Sequence, residues 1–358
     1  MCESKMSGSG KGRKRLPEID RVRGLAMCVV VLGHIFALVN GSKPEMGLGS
    51  AIRFLSVFEM PIFFVISGYL FYKHHEPMFS GFVKKRIKGL LVPYFIFSVL
   101  NMLFFIFLEP AEQMSLPDMS MTTFTFYGIS VLWFFPTLLI GESIWWILYH
   151  KFKTGYGMVV SMILMMVVGV LYKYAQPIEG SVWTSSLMFV ILGKICIVFM
   201  RGIVCQFFIG VGHCFGYVEA KLQSRRIWDV IMWSSLFVGL FAACFVPAVN
   251  LRDLVWEQTG LWCLSAAMVS TGLIFFFQKT ITLPLRLLEV IGKNSLVIMC
   301  THLDFKIPIY CMMCAEQLVA ISSRAKNYIY WGTLFLTFVV IEGILIVGWN
   351  LIRRKRLV

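Results

Sequence analysis

Arg23 and His34 stand eleven residues apart, the histidine deep inside the apolar run that follows a basic cluster, DRVRGLAMCVVVLGH. If the run 24–40 is a membrane-spanning helix, eleven steps turn through about 1100°, roughly 20° from a whole number of turns. The two side chains then share one face, roughly 16 Å apart along the axis, with Arg23 at the water boundary and His34 near the bilayer middle. An ionisable group at that depth is costly unless it faces a polar cavity, which marks it as a functional-site candidate. A second histidine, His302, sits in EVIGKNSLVIMCTHLDF, about 12 Å deeper at helical rise than Asn294 and Ser295. Two histidines with carboxylates in an apolar bundle suit proton transfer: the relay of a transporter, or the acid and base of an enzyme. The residue types alone leave both open.

The run FEMPIFFVISGYLFY supplies Glu59 and Ser67. Its Pro61 and Gly68 interrupt a membrane helix, either for close helix packing or to line a cavity. Lys84, Lys85, Arg86 and Lys88 follow, a positive-inside anchor that could also receive the phosphates of coenzyme A. LWFFPTLLIGES places Trp133 toward the outside, as a member of the aromatic belt, and Glu142 toward the inside, while His213 and Glu342 are further intramembrane ionisable groups, each equally a structural partner.

These residues need a scaffold, and the composition names it. Of 358 residues 58% are hydrophobic and 15% charged, and the mean hydropathy is +0.78. A soluble domain carries nearer 25% charge, so this is an all-α, polytopic transmembrane bundle. Ten runs qualify as spans: 24–40, 51–72, 89–109, 127–149, 156–173, 202–219, 228–248, 260–277, 289–311 and 329–351. With the N-terminus inside, 24 of the 33 lysines and arginines fall on the inner side, which puts both termini in the cytoplasm. Residues 186–200 are apolar but short and contain Lys194; counting them as a span would invert every later loop, so an interfacial or re-entrant outer segment is expected. Residues 1–15 read as a disordered basic cytoplasmic tail and 16–358 as a single membrane domain. The net charge of +14 follows from basic inner loops and carries no nucleic-acid motif. The cysteines lie mostly in apolar runs as small hydrophobes, and Cys311-x-x-Cys314, without a second ligand pair, reads as structural.

Taken together, IDRVRG…VVVLGH, FEMPIFFVISGYL, KKRIKGLLVPY, LWFFPTLL and IGKNSL…TH occur in an order that resembles the membrane-bound acyltransferase-3 family, particularly its fucose 4-O-acetylase-like and surface-polysaccharide O-acyltransferase branch. The likeness runs from residue 19 to residue 302. It implies transfer of an acetyl or other short acyl group from cytoplasmic acyl-CoA to a hydroxyl of a cell-envelope glycan or lipid-linked sugar, in a bacterial cytoplasmic membrane. It makes Arg23 and His34 the signature catalytic pair. Many members have histidine where this chain has Glu59, so that family role does not carry over directly.

On this reading acyl-CoA binds at the inner face near Lys84, Lys85, Arg86, Lys88 and Arg23, and its pantetheine arm reaches inward to His34. His34 acts as general base or as transient acyl acceptor. Glu59, Ser67 or His302 would position the acceptor, and no metal is required. The competing reading is a proton-coupled glycan transporter or flippase, disfavoured by the lack of internal repeats; a membrane scaffold leaves both histidines unexplained.

Overall fold

The computed structural model describes residues 15–74, 78–108, 115–175, 187–223, 225–280, 285–321 and 326–355. Apart from Arg15, the expected basic tail lies outside them. Lipid offers backbone groups no water, so long apolar runs fold as helices, and the described chain is helical throughout with only an isolated bridge between Asn250 and Val255. Among the described residues eight helices are long and apolar enough to cross a membrane, or nine if one bent pair is a single span.

The first helix, α1, runs Pro17–Ser42 and carries both Arg23 and His34. Next come α2 (Gly49–Ser56) and α3 (Glu59–Lys73), then α4 (Phe79–Arg86), which a π-helical turn at Ile87–Leu91 joins to α5 (Val92–Leu108). The short α6 (Leu116–Phe124) precedes α7, Phe134–Ala175. At Lys153 α7 takes φ 60° and ψ −175°. It doubles back there, because a Cβ on Gly157 would lie 3.5 Å from the Leu148 carbonyl oxygen. The two legs match the runs 127–149 and 156–173.

Two expectations need correction. Residues 187–200 are not a separate segment that turns back: they continue the sixth run as one helix, α8, Leu187–Leu222. Lys194 is tolerated there because its ammonium donates to Thr122 Oγ1 at 2.9 Å and lies 4.8 Å from the Tyr127 ring centroid. After α9 (Arg226–Ala243) and α10 (Thr259–Lys279), the ninth run also departs from a plain span. It is split into α11 (Arg286–Lys293), α12 (Ser295–Thr301) and α13 (Ile307–Ile321), with a bend of 85° after α12. The break is fixed by left-handed backbone at Phe305 (φ 58°) and Lys306 (φ 54°). His302 caps α12 at this break. The last helix, α14, runs Lys326–Lys355.

Motif glycines set the helix crossings. A Cβ on Gly24 would overlap the Leu288 carbonyl oxygen, and one on Gly292 would overlap that of Asp20, so α1 and α11 touch backbone to backbone. Gly68 and Gly212 do the same for α3 and α8, which decides the Gly68 alternatives in favour of packing. Cys311 is buried with Ile35, Val39 and Tyr330 in a smaller cluster that joins α13 to the far end of α1.

Ion pairs mark one end of the bundle, the end the charge count expects in the cytoplasm: Arg21–Glu289 at 2.8 Å, Lys73–Glu219 at 3.3 Å and Lys279–Asp229 at 2.8 Å. The hydrogen bond from Arg21, and then the surrounding positive charge, holds the Glu289 carboxyl below its ordinary value. A lowered folded-state pKa gives stability that is complete above the unfolded value and lost as pH falls through the folded one. Taking the detergent-solubilised protein from about pH 5 to about pH 3 is therefore expected to lower its thermal midpoint more than that of Glu289→Gln. Equal slopes would show that the pair contributes nothing.

Candidate active site

His34 and His302 meet. Their ring centroids are 5.2 Å apart with a tilt of 39°, because α12 packs against α1 and ends at this level. His302 is 1% exposed, and its Nδ1 lies 2.7 Å from the Ile298 carbonyl oxygen. A carbonyl only accepts, so Nδ1 carries the proton and Nε2 is left with a lone pair. That Nε2 is buried with no hydrogen bond among the described residues. His34 is partly exposed, and no hydrogen bond to it occurs among the described residues. Glu59 closes in from α3: its Oε2 would be 2.8 Å from a Cβ on Gly33, the residue beside His34. Arg252, from the loop between α9 and α10, is near enough to act electrostatically on His34. A histidine pair with one fixed tautomer and a guanidinium in its field can take a proton from a hydroxyl and return it.

Other expected site residues lie elsewhere. Ser67 sits eight residues beyond Glu59 on α3, about 12 Å further toward the basic end. It donates instead to Glu142 of α7, whose other oxygen pairs with Arg86 Nε at 2.7 Å. Glu142 is 1% exposed. Moving an unpaired carboxylate into such a place costs several kcal/mol, so Arg86 stays with Glu142 and is not free to bind a soluble phosphate. Arg23 joins this inner network: it pairs with Asp20 at 4.0 Å and lies in the fields of Arg86 and Glu142. Arg23 and His34 thus share a helix but serve two separate layers. Lys84, Lys85 and Lys88 are exposed near the basic end.

His213 is boxed by the rings of Phe71, Tyr72, Trp145 and Tyr149 at centroid distances of 4.8–5.7 Å, a packing role. Glu342 accepts from Thr301 Oγ1 at 2.9 and 3.1 Å and so braces α12 next to His302. Trp133 is not an interfacial aromatic. It is 7% exposed, with the guanidinium of Arg201 5.4 Å from its ring. Arg201 itself is fully buried, donating to the carbonyls of Arg252 at 2.6 Å and Tyr127 at 2.8 Å. The sequence reading missed it, although a lone arginine just before the run 202–219 is the signal that names it.

A groove of about 770 Å³ leads inward from the basic end. Lys88, Lys293, Asn294 and Asn350 stand at its mouth, and Thr301 and Phe305 at its far end. From Lys293 to Thr301 is about 12 Å at helical rise. The groove therefore finishes one residue from His302. A larger groove of about 830 Å³ between α6, α7 and α8 is almost wholly apolar and includes neither histidine.

A family model described as an acyltransferase domain, acyltransferase-3, matches residues 16–352. No curated protein and no solved structure matches the chain. With nearly its whole length covered, the chain belongs to the acyltransferase-3 family and is a multi-pass membrane acyltransferase.

Proposed function

We propose that this acyltransferase-3 protein moves an acetyl or other short acyl group from acyl-CoA to a hydroxyl of a cell-envelope or exopolysaccharide sugar, as in the fucose 4-O-acetylase-like branch. The membrane would be the bacterial cytoplasmic one. The observation that carries this reading is the His34–His302 pair beside the end of the groove from the basic face.

The donor's phosphates rest at the mouth on Lys88 and Lys293, with Lys84 and Lys85 adding to the local field. The pantetheine arm follows the groove, which brings the thioester level with Thr301. Arg23, in the inner layer, belongs to the donor's approach and not to proton transfer. In the reacting complex one His34 nitrogen turns its N–H onto the unused lone pair of His302 Nε2, a bond not made among the described residues here, and this leaves the other His34 nitrogen as the base. The acceptor hydroxyl loses its proton to that nitrogen as its oxygen attacks the thioester carbon. A C–O bond forms, the C–S bond breaks, and the proton passes from His34 to the departing thiolate, giving ester and CoA. Glu59, against Gly33, stabilises the positive charge that His34 holds between those two transfers. His302 thus fills the orienting place that the carboxylate takes in a serine–histidine–aspartate triad.

Removing both mouth cations, Lys88→Gln with Lys293→Gln, is expected to raise the KM for acetyl-CoA roughly tenfold, since a charge-assisted contact contributes about 1.5–3 kcal/mol and exposure reduces it. The difference should shrink in high salt, as steady-state CoA release will show. An unchanged KM would place the donor elsewhere.

A further inference from the structure

Just past His302 the helix ends, and buried polar side chains gather around the break. Asp304 is 4% exposed, and its Oδ2 accepts from Asn101 Nδ2 at 2.8 Å. Ser130 and the Val131 amide also face this carboxyl group. Its second oxygen, Oδ1, is buried with no hydrogen bond among the described residues. Asn101 is 1% exposed, and its amide nitrogen also donates to the Phe97 carbonyl at 3.2 Å. Both partners of that nitrogen are acceptors, so the amide orientation is fixed and Asn101 Oδ1 must be the free end. Asn101 Oδ1 likewise lacks a hydrogen bond among the described residues, as do Arg252 Nε, Arg201 Nη2 and His302 Nε2.

Four separate segments contribute these atoms: α5, α8, the chain at the α12 break and the loop before α10. They are tied together. Arg252 acts electrostatically on both His34 and Asp304, and Arg201 holds the Arg252 carbonyl. Native interiors leave few buried polar atoms unmet, because each costs the hydrogen bonds it had in water. Here two oxygen acceptors and a guanidinium donor remain unmet among the described residues: on Asp304, close to His302 in the chain, on Asn101, bonded to Asp304, and on Arg252, electrostatically coupled to His34.

We propose that Asp304, Asn101 and Arg252 form the acceptor subsite and that it takes a hydroxyl-rich sugar ring, a proposal that rests on the acyltransferase reading above. Asp304 Oδ1 and Asn101 Oδ1 each receive the proton of a sugar hydroxyl, and Arg252 donates to a sugar oxygen. The ring is thereby held with a further hydroxyl on His34. Arg201 positions Arg252 through its carbonyl and does not touch the sugar.

The test uses the full-length protein in lipid nanodiscs with labelled acetyl-CoA and a set of p-nitrophenyl hexosides, each beside its monodeoxy analogues. Asp304→Asn keeps an oxygen for Asn101 while turning the free acceptor into a donor. It is expected to raise the KM for the accepted hexoside tenfold to a hundredfold with the KM for acetyl-CoA unmoved. It should also abolish the wild-type preference over the one deoxy analogue that lacks the bound hydroxyl. Arg252→Gln, at a partly exposed loop position, is expected to raise the hexoside KM likewise. Unchanged hexoside KM values in both variants would overturn the subsite, as would retained discrimination against every deoxy analogue. If the wild type releases CoA from acetyl-CoA but acetylates no hexoside, the sugar assignment fails and the donor reading stands. If acetyl-CoA is never turned over, the acyltransferase reading itself fails and the subsite with it.

Discussion

His34→Ala is expected to lower acyl transfer by a thousandfold or more, near the upper end of the 10²–10⁴ that a positioned acid–base group contributes. The protein should fold, because His34 is partly exposed and its ring contact is with His302 alone among the described aromatic pairs. His302→Gln should cost about a hundredfold, since it removes the lone pair that orients His34 but leaves the base in place. The double variant is then expected to be no worse than His34→Ala, as for residues that act as one unit. Rates that multiply in the double variant would mean that the two histidines work separately. Initial rates of CoA release with a thiol reagent measure all three. Glu59→Gln should fall between the single variants, because its carboxylate stabilises the charged base without exchanging the proton.

Gly292→Ala is the second large effect, and it acts through the backbone. A methyl group there has no space, because the Asp20 carbonyl of α1 occupies its position. Overpacking a close contact costs about 1–3 kcal/mol where side chains can yield, and a backbone neighbour cannot yield without moving its helix. α1 carries His34, and α11 leads directly into α12 and His302, so spreading this crossing separates the pair. The expected result is a thermal midpoint and an activity that fall together, by an amount Gly24→Ala reproduces. Gly343→Ala on α14, where a Cβ meets nothing within 4 Å, should leave both unchanged. A stable Gly292→Ala protein with full activity would show that the α1–α11 contact does not position the site.

Much of this architecture was legible in residue patterns, because lipid forces apolar runs into helices whatever their neighbours. The run 24–40, with Arg23 just before it and His34 inside it, read correctly as one helix, Pro17–Ser42. What periodicity could not convey was which helices touch. The family resemblance offered Ser67 as a residue that positions the acceptor near His34, yet Ser67 belongs to Glu142 and Arg86 in the inner layer. Lys194 weighed against counting 186–200 as a span, since the sequence could not show Thr122 on another helix accepting from its ammonium. Arg86 looked like one more surface cation in a basic run, and only the packing of α4 on α7 turns it inward. The break after His302 left a trace in Pro308, but the 85° bend depends on Phe305 and Lys306 adopting left-handed backbone that their residue types do not favour. Asp304 and Asn101, 203 positions apart in the chain, have no sequence signature as a pair.

The most direct test of the central claim follows label and thiol together. Wild-type protein in nanodiscs would receive acetyl-CoA labelled in the acetyl group, with a cell-envelope glycan extract as acceptor. Free CoA and glycan-bound label would be counted in the same samples. The account predicts one CoA released for each acetyl ester formed on glycan, with both signals lost in His34→Ala. CoA release that persists in His34→Ala would contradict the mechanism. No release with any acceptor, alongside glycan movement across proteoliposome membranes, would contradict the transfer reaction itself and make the histidine pair part of a transport path.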